Sequence, residues 1–504
     1  MRKSSRIVIL ETGLRILAGL VGLIFLLLGI GFLTLPEVLA NGFYVEPARA
    51  VGINAIRGDF GALFLGMGSF CLLGVLTVHR QLLVVPIVFL TLVLLGRLTS
   101  VIVDDVPAAA AGAMGAEGIF LVILVLSLFF ASANRNPANA RISLRAFVAP
   151  RVLLAIALVA TLVFGILLSQ KRIGTALVQV IGSQSVGENA FKELPDGLHV
   201  GLCGSGSPMM DPKRASACVF VIAGRALYIV DTGPSSVRRL ELMRLQPGEI
   251  EAVLLTHFHS DHIGDLGELM LKRWARGAAK DPLPVFGPPG VETVVRGFNL
   301  AYSLDSRYRV AHHGLETTPP GGAGGVARPF DFPNGEDAVV IIDADGVKIT
   351  AFLVDHRPVE PAVGYRFDYK GRSLVISGDT LPSETLRRQS AGVDLLLHEA
   401  LQPTMVRILG DINRKGGRAN IARITTDILD YHTFPEEAAR IAEDAGVRQL
   451  VFYHIIPPLP VSVLEESFLG DAKECFSGPI SIGVDGLMFS MPAGSRSVDK
   501  EWIW

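Results

Sequence analysis

Thr256-His257-Phe258-His259-Ser260-Asp261-His262 places three histidines and an aspartate within six residues. The whole chain has only 11 histidines, so the cluster calls for a chemical reason. Imidazole nitrogens and carboxylate oxygens together suit zinc, and also iron or manganese. The segment follows Ala252-Val253-Leu254-Leu255, a short apolar run that reads as a buried strand. In extended chain alternate side chains share a side, so His257 and His259 can hold one ion. Asp261 and His262 come where the chain turns, within reach of a second. Such a site needs further ligands from other strand ends.

Those residues follow in order. The apolar run Ile349–Val354 ends at Asp355-His356, and Ser373–Ser377 ends at Gly378-Asp379-Thr380. Val393–Leu397 delivers His398-Glu399-Ala400, and Gln449–Tyr453 delivers His454. Upstream, Leu227–Val230 ends at Asp231-Thr232-Gly233. Singly, each is an ordinary polar group at a strand end. Together, after the HxHxDH motif, they point to one site.

From about residue 197 onward, β-branched runs alternate with amphipathic stretches, the pattern of layered α/β structure. Over roughly residues 197–490 the order and types of these residues resemble the metallo-β-lactamase superfamily. The resemblance implies an α/β fold, the four-layer αββα sandwich, and two divalent metal ions, zinc first with manganese or iron as alternatives. It assigns His257, His259 and His356 to the first ion and Asp261, His262 and His454 to the second. Asp379 bridges them, and Asp231 supports the metal loop from behind.

Three segments match the branch that contains tRNase Z, arylsulfatases and cyclic-nucleotide phosphodiesterases: Gly201–Pro208, Val363-Gly364-Tyr365-Arg366 and His398-Glu399-Ala400. Tyr431-His432-Thr433 agrees with it. A pair of ions lowers the pKa of a shared water from near 16 to about 7. Asp261 would orient that nucleophile. His398 is the expected acid or transition-state stabiliser, its imidazole held by Glu399. Thr433 and Glu436 are expected to form a capping box before the helix Ala438–Ala445, with His432 a structural histidine at its entry.

One departure bears on substrate. The tRNase Z enzymes carry a long tRNA-gripping arm between the positions of His356 and Asp379, and here only 22 residues separate these two. A hairpin is expected there instead. The extra length lies between His262 and His356. It includes Pro319–Gly325, expected to be a mobile loop beside the site, and His312 and His313, read as surface or core residues. Neither Gly-rich stretch is followed by GK[ST], which excludes a P-loop.

The elements before residue 187 are of another kind. Five apolar runs, Ile16–Leu35, Phe60–Val78, Gln81–Gly96, Gly118–Asn134 and Val152–Gln170, are each read as a membrane span. The expected organisation is a four-helix transmembrane domain over 1–135, a linker with a fifth helix over 136–186, and a hydrolase domain over 187–504. The first run lacks a cleavage site and is followed by others, so it is not a signal peptide. Arg2, Lys3, Arg6, Arg80, Arg135 and Arg141 mark cytoplasmic ends, and five spans then leave the hydrolase outside the cytoplasm, in a bacterial inner membrane; Lys171 and Arg172 count the other way. Gly52–Gly61 resembles a segment of four-helix membrane domains of unknown function, with Arg57 and Asp59 as interfacial charges.

Net charge is −2, so there is no bulk basic field for nucleic acid. The four cysteines form no CxxC pair, which gives cysteine-ligated zinc and thioredoxin-like redox chemistry little support; Cys71 reads as core, and spacing alone does not decide whether Cys203 and Cys218 pair. The leading expectation is a membrane-anchored hydrolase of phosphodiester or sulfate ester bonds in small molecules. A tRNase-Z-like ribonuclease and a lactonase are the alternatives. A membrane sensor that only binds ligand would have broken metal positions, and none is broken.

Overall fold

The structure, a computed structural model, describes residues 5–43, 50–77, 79–103, 109–130, 169–185, 191–192, 194–461 and 463–503. They fall into two compact units, Met1–Gln184 and Ser185–Trp504.

The first unit is all helical. Its main helices are α1 (Ser5–Thr34), α2 (Ala62–Leu76), α3 (Val84–Val103) and α4 (Ala109–Phe130). α1 and α2 approach closely because both carry glycine at the crossing. A Cβ on Gly68 would lie 2.7 Å from the Gly22 carbonyl oxygen. Between α3 and α4, Arg97 donates from Nη2 to Glu117 Oε1 at 2.9 Å. Ile16, Leu20, Leu92 and Val122 point outward, as on helices that face lipid. Among the described residues, Glu11–Thr34, Gly52–Leu76 and Arg80–Arg97 are long and apolar enough to cross a membrane, and Met114–Phe129 is a shorter apolar helix. The expected fifth span, Val152–Gln170, lies almost wholly outside the described residues. Arg57 and Asp59 are exposed on a π-helical turn, Ile56–Gly61.

The second unit holds two sheets. The first has eight strands: β1 (Gly197–Gly204), β2 (Cys218–Ala223), β3 (Ala226–Val230), β4 (Ile250–Leu254), β5 (Leu283–Gly287), β6 (Gly325–Pro329), β14 (Leu487–Pro492) and β15 (Asp499–Trp502). Their order is β15-β14-β1-β2-β3-β4-β5-β6. The second contains β7 (Ala338–Ala344), β8 (Val347–His356), β9 (Val359–Tyr369), β10 (Arg372–Ile376), β11 (Leu395–Leu401), β12 (Leu450–Ile456) and β13 (Ile480–Ile482). They run in the order β13-β12-β11-β10-β9-β8-β7.

Three cores make the layers. Val200, Val219, Val221 and Tyr228 of the first sheet meet Tyr365, Phe367, Leu374 and Leu397 of the second. The outer face of the first sheet packs Phe220, Ile229 and Val253 against Leu266, Leu269 and Val291 from α5 (Leu266–Gly277) and α6 (Val291–His313). The outer face of the second packs Val375, Leu396 and Phe452 against Ala438, Ala439 and Ala442. This is the αββα sandwich. Strands buried on both faces explain why the sequence shows continuous apolar runs rather than alternation.

Several details differ from expectation. Pro319–Gly325 is not a mobile loop beside the ligands. Trp274 Nε1 donates to the Pro319 carbonyl at 2.6 Å, and Leu283 N donates to the Gly324 carbonyl. The segment is thereby packed at the start of β5, opposite the end from which β4 delivers His257. His312 and His313 are exposed at the end of α6. No complete capping box forms: Phe434 is the N-cap of the helix Pro435–Asp444, its ring offers no acceptor, and only its N–H is bonded, donating to Glu437 Oε2 at 3.0 Å. Pro435, at the first helical position, sets that start. β9 and β10 pair as a hairpin turned by Lys370-Gly371, with no arm between them. Cys203 and Cys218 are joined as a disulfide.

Candidate metal centre

β4 runs parallel to β3 and β5, and its end releases the chain at Thr256. The next residues turn into a one-turn helix, Ser260–Ile263, which buries Asp261 and His262. From the facing sheet, β8 ends at His356, the turn after β10 carries Asp379, and β12 carries His454. Ligand atoms of His257, His259, His356 and Asp379 lie within 4.8 Å of one another, and so do those of Asp261, His262 and His454. The seven residues expected as ligands are therefore brought together, in the two expected sets.

Asp379 sits between the sets. Its Oδ2 lies 3.3 Å from His262 Nε2, 3.4 Å from His454 Nε2, and 3.9 Å from both His257 Nε2 and His356 Nε2. Positioning it requires glycine at 378. That residue has φ +64°, and a Cβ there would lie 2.6 Å from the Val363 carbonyl oxygen.

His454 reaches the site through a bulge. Tyr453 pairs with Glu399 and Ile455 with Ala400, leaving His454 as the extra residue, at φ +47°. Tyr453 faces the other sheet and Ile455 the helices, so the bulge re-aims His454.

Behind the ligands are fixed partners. Asp231, also at positive φ, accepts from Thr256 N at 2.8 Å, from Thr256 Oγ1 at 2.7 Å and from His262 Nδ1 at 2.8 Å. That locks His262 with Nε2 turned to Asp379. His356 Nδ1 donates to the Tyr431 carbonyl at 3.0 Å. His262 Nε2, His356 Nε2 and Asp379 Oδ1 are buried with no hydrogen-bond partner. Buried lone pairs facing one another without donors are what a cation satisfies, so the donor set fits divalent metal.

The electrostatics divide the histidines. Burial, then the neighbouring His262, holds His257 well below its usual pKa, and burial lowers His356, favouring the neutral imidazole that ligates metal. His262 and His454 go the other way: against burial, the Asp379 carboxylate raises both, His262 well above its usual value. Burial opposes the Asp379 carboxylate, but His454 and His262 keep it ionised, well below the ordinary range.

His398 and Glu399 are not arranged as expected. Along β11, Leu395 and Leu397 face the other sheet and Leu396 and Ala400 face the helices. Alternation therefore puts Glu399 on the inter-sheet side and His398 on the helix side, away from the ligands. His398 Nδ1 donates to the Glu399 carbonyl, not to its carboxylate. That carboxylate instead accepts from His432 Nδ1 at 3.0 Å, Thr380 N at 3.1 Å and Thr433 N at 3.2 Å. A His432 ring nitrogen lies within 4.8 Å of ligand atoms of Asp379 and His454. The histidine read as structural is thus the one beside the cluster. The only sequence signal was Glu399 itself, a carboxylate close behind the apolar run Val393–Leu397 that needs hydrogen-bond donors once buried.

A family model described as the metallo-beta-lactamase superfamily matches residues 211–405. The chain is 37% identical over 290 residues to "Ribonuclease Z" of Mycobacterium bovis (strain BCG / Pasteur 1173P2), covering 57% of this chain and 96% of that protein. It is also 37% identical to "Ribonuclease Z" of Mycolicibacterium gilvum (strain PYR-GCK), covering 57% and 94%. Among solved structures, the metallo-beta-lactamase fold protein YhfI from Bacillus subtilis matches 58% of this chain and 99% of its own, at 20% identity and TM-score 0.43. The short form of human tRNase Z matches 58% and 99%, at 19% identity and TM-score 0.42.

Proposed function

Because the chain belongs to the metallo-beta-lactamase superfamily, we propose that it is a metal-dependent phosphodiesterase cleaving RNA as a ribonuclease Z does, anchored in a membrane by its N-terminal helices. The observation that carries the chemistry is the convergence of the seven ligand side chains, with His432 and Glu399 at their edge. The match over 96% of a mycobacterial ribonuclease Z supports the substrate class.

His257, His259 and His356 would hold one divalent ion, zinc by donor type, and Asp261, His262 and His454 a second, with Asp379 shared. When bound, such a pair acidifies the attacking water and neutralises charge building on the phosphoryl oxygens. Asp231 keeps His262 in its ligating tautomer. Glu399 holds His432 by Nδ1–H, which leaves Nε2 to carry the proton given to the departing oxygen as the P–O bond breaks. A ribose oxygen leaves poorly without that proton, whereas an aryl oxygen scarcely needs it. A built general acid therefore favours sugar phosphodiesters over aryl sulfates.

A second reading, a small phosphodiester or lactone hydrolysed outside the cytoplasm, has two observations in its favour. The Cys203–Cys218 disulfide suits an oxidising compartment, and the tight Lys370-Gly371 turn leaves no arm for gripping tRNA. The test presents the metal-loaded full chain in detergent with precursor tRNA, bis-aryl phosphate, aryl sulfate and lactone in parallel. The RNA reading expects removal of the 3′ trailer, slowed by about 10²–10⁴-fold in His432→Ala. Turnover of a small ester with intact precursor tRNA would replace it by the second reading. A reporter fused to the C-terminus identifies the side of the membrane.

A further inference from the structure

Between Glu399 and His432 the chain makes a helical hairpin that the chemistry above does not use: α7 (Pro403–Lys415) and α8 (Ala419–Asp427). Its root is buried. Val406 packs with Leu401, Ile428 and Ile456, alongside Tyr431, whose carbonyl fixes His356. Its far end is bare: from Asp411 to Ile421 every residue but Asn413 is exposed.

Large aliphatic and basic side chains dominate this bare surface, with Asp411 paired to Arg414 among them. Ile408 (54%), Ile412 (52%), Ile421 (45%) and Ile424 (56%) face water. The turn between the helices reads Arg414-Lys415-Gly416-Gly417-Arg418. Large aliphatics set among arginine and lysine are the composition of helices that rest in the headgroup region of a bilayer. The aliphatics enter the acyl boundary, while the cations meet lipid phosphates. A single-stranded RNA surface uses aromatic platforms for stacking, and residues 403–427 contain no aromatic side chain.

We propose that the α7–α8 hairpin docks on the anionic lipid surface of the membrane that the same chain enters, an inference that rests on the membrane-anchored reading above. Isoleucines supply the burial and the basic turn supplies the charge complementarity. Because the hairpin root packs beside Tyr431, docking sets the rim of the metal site next to the headgroups.

The test uses the full chain in nanodiscs of zwitterionic lipid, with and without anionic lipid. Cys475→Ser removes the one partly exposed free thiol among the described residues, since Cys71 is buried and Cys203 and Cys218 are bonded. Ile412→Cys then carries an environment-sensitive fluorophore, and Glu316→Cys, exposed elsewhere on the same unit, is the control. The expected result is a blue shift at position 412 in anionic discs, absent at 316. It should be lost when Arg414, Lys415 and Arg418 are all changed to Gln. Water-like emission at both positions in every disc would overturn docking while leaving the anchor intact. A shift at 412 caused by precursor tRNA, and by no lipid, would overturn it in favour of RNA. Recovery of the chain in the soluble fraction without detergent would remove the anchored reading and docking with it.

Discussion

His432 Nδ1 donates to the Glu399 carboxylate at 3.0 Å, joining two residues 33 positions apart at the edge of the ligand cluster. On the reading proposed above, the proton donor is His432 rather than His398. His432→Ala is expected to lower kcat by about 10²–10⁴-fold with metal content unchanged. His398→Ala, altering a buried side chain on the helix side of β11, should lower the melting temperature and leave kcat of the folded fraction near the parent's. Steady-state kinetics with elemental analysis of both variants separates the two, and the reverse pattern would return the role to His398.

Glu399 holds His432 in place and also receives two backbone N–H bonds. Glu399→Gln keeps the shape but loses the carboxylate that fixes His432. It is expected to lower kcat with little change in KM or metal content, as for a group that positions a proton donor rather than binding substrate. Parental kcat in that variant would remove Glu399 from the positioning role.

Asp231 accepts from His262 Nδ1 at 2.8 Å and so orients that ligand. Asp231→Asn is expected to weaken metal affinity by about 10–100-fold, the usual effect of losing such a support. Competition with a chelator measures it. Turnover at saturating metal should largely recover.

Gly378 has no room for a side chain. Gly378→Ala is expected to cost about 1–3 kcal/mol, because the backbone must leave its positive φ and take Asp379 with it. A thermal melt showing parental stability would contradict the close approach to Val363.

Asp485 supplies the pH dependence. Its carboxylate accepts from Ser205 N, Ser205 Oγ and Ala215 N, yet burial pushes its pKa up from 3.8 to about 6. Between pH 4 and 6 the native state therefore binds the extra proton. The stabilisation is complete below about 4 and is lost as pH rises through about 6, a change of roughly 3 kcal/mol. The difference in melting temperature between the parent and Asp485→Asn should change across that window. A flat difference would place the carboxyl near its ordinary value.

The seven clustered side chains were legible in the sequence because they follow the ends of four β-rich runs, and strand ends are where this sandwich gathers polar groups. His432 was not. Leu395, Leu396 and Leu397 are buried on both faces of β11, so the apolar run carries no alternation from which to phase His398 and Glu399. The bulge at His454 is likewise silent in sequence, since nothing local marks which residue is extra. Pro435 did carry a signal, as a first-turn proline that moves the N-cap one residue beyond Thr433, to Phe434. Pro319–Gly325 has the composition of a free loop, and its anchor, Trp274, is 45 positions away. The disulfide depended on the bulged pairing of β1 and β2, which spacing does not reveal.

The most direct measurement is metal content against activity in the purified full chain and in Asp379→Ala. The parent should retain about two divalent ions per chain, as expected of a shared two-ion site, and the variant should lose metal and activity together. Full activity in metal-stripped protein, or an Asp379→Ala variant with parental metal and rate, would contradict the two-ion centre.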